Sequence, residues 1–160
     1  MKKKVISFGL GAIVLLSIIA MAIPVSAQPT ADSFGVNDAS GYVGTYVIVP
    51  VNITNVQNGP IAGIIFDISY NNSILSVAGV QRGVLTSTWD APYYNNFGWG
   101  TRVSIVGTAA NAIQNGSTGS VVLLNFSLIG AGSSPMNLSN IQLSDINGMI
   151  GTAPAKNGTF

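Results

Sequence analysis

Hydrophobic residues in this chain follow two patterns. From Val5 to Ile23 they form a nearly unbroken run, which Pro24 ends. Beyond it they recur in short alternating runs separated by Gly, Asn and Pro clusters, the pattern of strands and turns. Thr45 to Thr54 is the clearest case: Val47, Val49, Val51 and Ile53 alternate with Tyr46, Ile48, Pro50 and Asn52. Successive side chains of a strand point to opposite faces, so the four aliphatics form an inward row. Pro50 has no N–H to donate to a ladder and marks an edge position or a local irregularity.

The next run, Ile61 to Tyr70, follows an Asn58-Gly59-Pro60 turn. Ala62, Ile64, Phe66, Ile68 and Tyr70 make the predicted core face; Ile61, Gly63, Ile65, Asp67 and Ser69 make the other. An Asn71-Asn72-Ser73 turn into Ile74–Val80 predicts a hairpin. Val103 and Ile105 mark a short strand, and Ser120 to Ile129 a long one with Val122, Leu124, Phe126 and Leu128 inward. Asn125 then points outward. Leu138–Leu143 and a last strand starting at Asn157–Phe160 follow, and Ser33–Ala39 and Tyr93–Phe97 bring the expectation to eight or nine. No window carries Ala, Leu, Glu, Lys and Arg at helical spacing. The inward rows are best buried by stacking two antiparallel sheets in an all-β sandwich.

The N-terminal run changes the cellular picture. Lys2, Lys3 and Lys4 precede it and the small residues Val25-Ser26-Ala27 follow it, the layout of a secretory signal cleaved after Ala27. Residues 1–27 are therefore read as signal and 28–160 as a single domain. The rival reading is an uncleaved membrane anchor, since the run approaches the ~18 apolar residues of a spanning helix. Both place the rest of the chain outside the cytoplasm, secreted or at the cell surface. The chain ends soon after its last strand begins, so that strand is read as truncated.

Charge and composition exclude several functions. Past the signal, Arg82, Arg102 and Lys156 stand against Asp32, Asp38, Asp67, Asp90 and Asp145. Without clustered Lys and Arg to neutralise phosphates, nucleic acid is not a partner. There is no Cys, so stability must come from apolar burial. Asn52, Asn71, Asn115, Asn125, Asn137 and Asn157 each begin an Asn-x-Ser/Thr acceptor, which fits a polar exported surface. The absence of His and Cys removes the usual general base, thiol nucleophile and zinc ligands. The five Asp sit in separate turns and strands, so an enzyme, a metal site or a cofactor is not expected. Trp89, Tyr93, Tyr94, Phe97 and Trp99, beside Asn95 and Asn96, form an alternative sugar-stacking group; the same rings could equally plug the end of a sandwich. A structural or adhesive surface unit is a third reading.

Several of these stretches resemble one family. Gly44-Thr45-Tyr46-Val47-Ile48-Val49-Pro50-Val51-Asn52-Ile53 is similar to the opening of cohesin domains, and the run from Ile61 through Phe66-Asp67-Ile68-Ser69-Tyr70 to Ile74-Leu75 follows at the family's spacing. Gly119–Phe126 and Leu138–Gly148 resemble later cohesin segments, so the likeness spans nearly all of residues 33–160. It implies a nine-stranded jelly-roll sandwich that docks a dockerin, a small helical module, in polysaccharide-degrading or other surface complexes. Calcium would belong to the dockerin. The implied docking face is the outer side of Ile61–Tyr70, carrying Gly63, Ile65, Asp67 and Ser69, joined by Tyr94, Arg102 and Ser104 from neighbouring strands. The Asn and Asp that well-studied members carry there fall on Gly63 and Ile65, so that polar pair is missing. Ile65 would instead be an apolar anchor beside Asp67.

Overall fold

A computed structural model describes residues 27–160; the apolar N-terminal run and the rest of the predicted signal up to Ser26 lie outside the described residues. The alternating runs become strands β1 (Thr30–Val36), β2 (Tyr46–Gln57), β3 (Ile61–Ser69), β4 (Leu75–Arg82), β5 (Tyr93–Phe97), β6 (Gly100–Val106), β7 (Gly119–Leu128) and β8 (Pro135–Asp145). Three two-residue pieces follow: β9 (Ile150–Gly151), β10 (Ala155–Lys156) and β11 (Gly158–Thr159). One sheet runs β10-β1-β2-β7-β4 and the other β11-β8-β3-β6-β5, with β9 paired to β8. Among the described residues there is no helix. The two sheets stack as a jelly-roll sandwich, and the C-terminal segment adds short strands to an edge of each.

The inward rows meet in an apolar interior. Val49, Val51 and Ile53 of β2, Ile64, Phe66 and Ile68 of β3, and Val122, Leu124, Phe126 and Leu128 of β7 are all buried. Phe34 packs on Phe66 with ring centroids 5.1 Å apart, and Tyr70 meets Phe126 edge-on at 5.4 Å. Burying a large side chain of this kind contributes about 1.5–3 kcal/mol, and this burial does the work that disulfides do elsewhere. Tyr70 also turns its hydroxyl to Thr101 Oγ1 at 2.7 Å, so its polar end is satisfied.

Several local expectations change. Ile61 is a core residue, because a register shift between Ile61 and Gly63 resets the alternation and Ile61 bridges to Ile113. The predicted hairpin between β3 and β4 does not form. Both edges of β3 are taken, by β6 and β8, so β4 pairs with β7 in the opposite sheet. The turn that carries the chain across is held by Asn71, whose side chain accepts the Ser73 N–H at 2.9 Å and whose carbonyl accepts those of Ile74 and Leu75. Pro50 lies within β2, but β1 ends at Val36 opposite Val51, so no ladder bond is lost on that side. Asn125 does face outward on β7, yet its Oδ1 is buried without a hydrogen-bond partner.

Candidate functional site

The outer face of the β8-β3-β6-β5 sheet is set by register. Tyr93, Ser104, Ile65 and Gln142 lie side by side in one row across four strands. The next row is Asn95, Arg102, Asp67 and Ser139, and beyond it come Phe97, Gly100, Ser69 and Asn137. At the other end Val106, Gly63 and Ser144 stand together. Val106 and the exposed Ile146 help to line a depression of about 430 Å³, together with Gly63, Ser144 and Asp145. The face is thus mostly small, amide and apolar, with one ion pair at its centre.

That pair has a defined geometry. Arg102 Nε donates to Asp67 Oδ1 at 2.7 Å and Nη2 to Oδ2 at 2.8 Å, a two-pronged contact. Asn140 Nδ2 adds a third bond to Oδ2 at 2.6 Å. The carboxylate is sunk between its donors: the Asp67 side chain is 5% exposed and that of Arg102 52%. Hydrogen bonds from Arg102 hold the Asp67 carboxyl below its ordinary range; burial opposes this, and Asn140 and the Arg102 charge reinforce it. The same bonds raise Arg102 above its usual value. Asn140 reaches the site because β8 shifts register between the partners of Ile65 and Asp67, and Asn140 takes a left-handed φ of 50° there. In the sequence this bulge is visible as Met136, Leu138, Ile141 and Leu143: the inward spacing slips from two to three.

Of the residues predicted for this face, Ile65, Ser69, Arg102 and Ser104 lie on it and are open to solvent at least in part. Asp67 lies on it but is buried under its donors, so the charge presented outward is the guanidinium. Gly63 is covered: a Cβ there would stand 2.6 Å from Ser144 Oγ, so the position has no room for a partner-contacting side chain. Tyr94 points the other way. It pairs with Val103 of the core row and donates its hydroxyl to Ala78 O of β4 at 3.2 Å. Its neighbours Tyr93 and Asn95 occupy the outer face instead, because Tyr93 rather than Tyr94 stands opposite Ser104. Asn95, Ser139, Asn140, Gln142 and Val106 were missed, since outward parity depends on which strands become neighbours.

The predicted sugar-stacking group does not assemble. Trp89 is 2% exposed and donates its Nε1–H to Asn111 O at 2.7 Å. Trp89 plugs the interior beside Gly107, where a Cβ would lie 2.5 Å from its ring. With Tyr94 also turned inward, what remains open is Tyr93 and a stacked pair, Phe97 and Trp99, with ring centroids 5.1 Å apart and planes 6° apart. Asn72 Nδ2 holds the turn between them by donating to Phe97 O and Gly98 O. Among the described residues no three His, Cys, Asp or Glu side chains converge to hold a metal.

The family model described as Cohesin domain matches residues 33–149. The chain belongs to the cohesin family. Cohesins are protein-binding modules, not enzymes. A non-cellulosomal cohesin from the hyperthermophilic archaeon Archaeoglobus fulgidus is 28% identical, with a TM-score of 0.67 over 84% of this chain and 90% of that one. The sixth cohesin of Acetivibrio cellulolyticus scaffoldin B, solved with a dockerin mutant, is 17% identical, with a TM-score of 0.67 over 81% of this chain and 96% of that one. A type I cohesin–dockerin complex from Clostridium thermocellum is 15% identical, with a TM-score of 0.64 over 83% of this chain and 97% of that one. The last two likenesses establish the cohesin fold alone. No curated protein matches the chain by sequence.

Proposed function

We propose that this cohesin binds a dockerin-type module on the outer face of β8-β3-β6-β5, outside the cytoplasm. The carrying observation is the face itself: a broad β-surface with Ile65, Tyr93 and Val106 open to solvent around one held ion pair. Exposed apolar side chains ringed by amides and hydroxyls are what a desolvating interface needs. Two cohesins of this fold are described in complex with dockerins, which supports the same class of partner here. The apolar run ahead of residue 27 supports export. Calorimetric titration with dockerins from the source genome, with calcium and then with chelator, tests the reading. Tight binding that chelation abolishes is the expected result, because calcium orders the partner; a folded chain that takes up none of these dockerins refutes it.

A second reading rests on the open Phe97–Trp99 stack, whose free ring faces suit a sugar ring. Retarded migration in polysaccharide-containing gels, lost in Trp99→Ala, would support it; unchanged migration would remove it.

A further inference from the structure

We propose that Arg102 sets the polarity of docking: the partner must bring a side-chain carboxylate to the centre of the face. This deepens the docking reading and rests on it.

A guanidinium has five N–H donors in a planar fork. In Arg102, Nε–H and one Nη2–H are spent on Asp67. The remaining three have no acceptor among the described residues, and they include the parallel pair at the Nη1/Nη2 end. Two parallel N–H groups match the two oxygens of a carboxylate, the pairing for which Arg is better suited than Lys. Arg102 is also held in place from behind, so docking does not have to freeze a free side chain. Asp67 cannot answer a cationic partner, because its carboxylate is 5% exposed and already accepts three bonds. The other members of the four rows are uncharged. A lysine or arginine brought to this centre would therefore meet a like charge with no other anion in the four rows, whereas a carboxylate would complete the fork.

The same geometry predicts how the contact acts in time. At a distance Asp67 cancels the Arg102 charge, so long-range steering is weak and the gain is short-ranged. Losing both members of the pair, as in Asp67→Asn/Arg102→Met, should therefore speed dissociation and leave association nearly unchanged, whereas Arg102→Ala also unmasks the Asp67 charge and slows the approach of an acidic partner.

The test uses the full chain and a dockerin that binds it, with association and dissociation rates read separately by surface plasmon resonance. Arg102→Ala, Arg102→Lys and the double variant Asp67→Asn/Arg102→Met are compared with the native chain. The partner is varied by changing each surface Asp or Glu outside its calcium loops to the amide. We expect Arg102→Ala to weaken binding about 30-fold, the size of an interface hot spot, and the double variant to act mainly through the off-rate. Arg102→Lys should recover little, since an ammonium lacks the fork. One partner carboxylate-to-amide change should cost about as much and add nothing to Arg102→Ala. Arg102→Met combined with Asp67→Asn keeps the stem, strands no charge and serves if the Ala variant folds poorly. Binding by Arg102→Ala and by the double variant within about twofold of native overturns the proposal. So does an Arg102 effect that every partner change adds to in full, which would assign the contact to main-chain carbonyls. If the native chain binds no dockerin, the docking reading fails and this inference falls with it; native binding that ignores Arg102 removes the inference alone.

Discussion

Removing Arg102 should destabilise the fold far more than its exposed position indicates, because of what it leaves behind. Asp67 would keep a single bond, from Asn140, at a site where its side chain is 5% exposed. Breaking a fully buried pair from one side costs about 3–5 kcal/mol. Arg102 is half in water, and solvent can enter the space it vacates, so we take about 2 kcal/mol for Arg102→Ala. Asp67→Asn keeps the shape and frees an Arg that water can rehydrate, so its cost should be nearer 1 kcal/mol. The double variant strands no charge and should cost less than the sum. Urea denaturation at neutral pH reads these differences; 2 kcal/mol corresponds to a midpoint shift of about 1 M. The pH dependence is a second check. In the native chain the Asp67 pKa is lowered, so its stabilisation is whole above the unfolded value of about 3.9 and is lost as pH falls through the folded value. In Arg102→Ala only the Asn140 bond is left to oppose burial and the folded pKa rises, so the penalty is full at neutral pH and shrinks in acid. An Arg102→Ala chain within about 0.5 kcal/mol of native, or a gap unchanged between about pH 7 and 3, would refute this account of the pair.

Other variants test separate parts of the structure. Gly107→Ala places a Cβ against the Trp89 ring and should cost about 1–3 kcal/mol in thermal unfolding. Trp89→Phe leaves Asn111 O without its indole donor and a gap in the plug; stability should fall by about 1–3 kcal/mol, with dockerin affinity unchanged. Ile65→Asp sets a carboxylate in the open row between Ser104 and Gln142; docking should be lost in titration while the unfolding midpoint stays nearly constant. Asp145 is held below its ordinary range, bonds from the N–H groups of Met149 and Asn147 outweighing its desolvation. Its turn should therefore loosen as pH falls through that lowered value, seen as a smaller protection factor against hydrogen exchange at the Met149 amide, each rate being compared with the intrinsic rate at the same pH.

Alternation in the sequence determined which segments become strands and, apart from Ile61, which side chains of β2, β3 and β7 point inward, because both follow from a local two-residue period. The strand Ile61–Tyr70, with Ile65 and Ser69 outward, was legible for the same reason, and the family likeness located the face. Only the tertiary structure decided that β4 leaves β3 for the other sheet, since that depends on β6 and β8 taking both edges first. The turning of Tyr94 inward and Tyr93 outward is set by the pairing of β5 with β6, a property of two strands together. The fate of Asp67 was beyond any local reading. Its donors lie 35 and 73 residues away along the chain, one of them delivered by a bulge in β8. An outward aspartate thus becomes a buried support, and the charge that meets the partner is the arginine, because burial and hydrogen bonding are fixed by neighbours that only the folded sheet brings together.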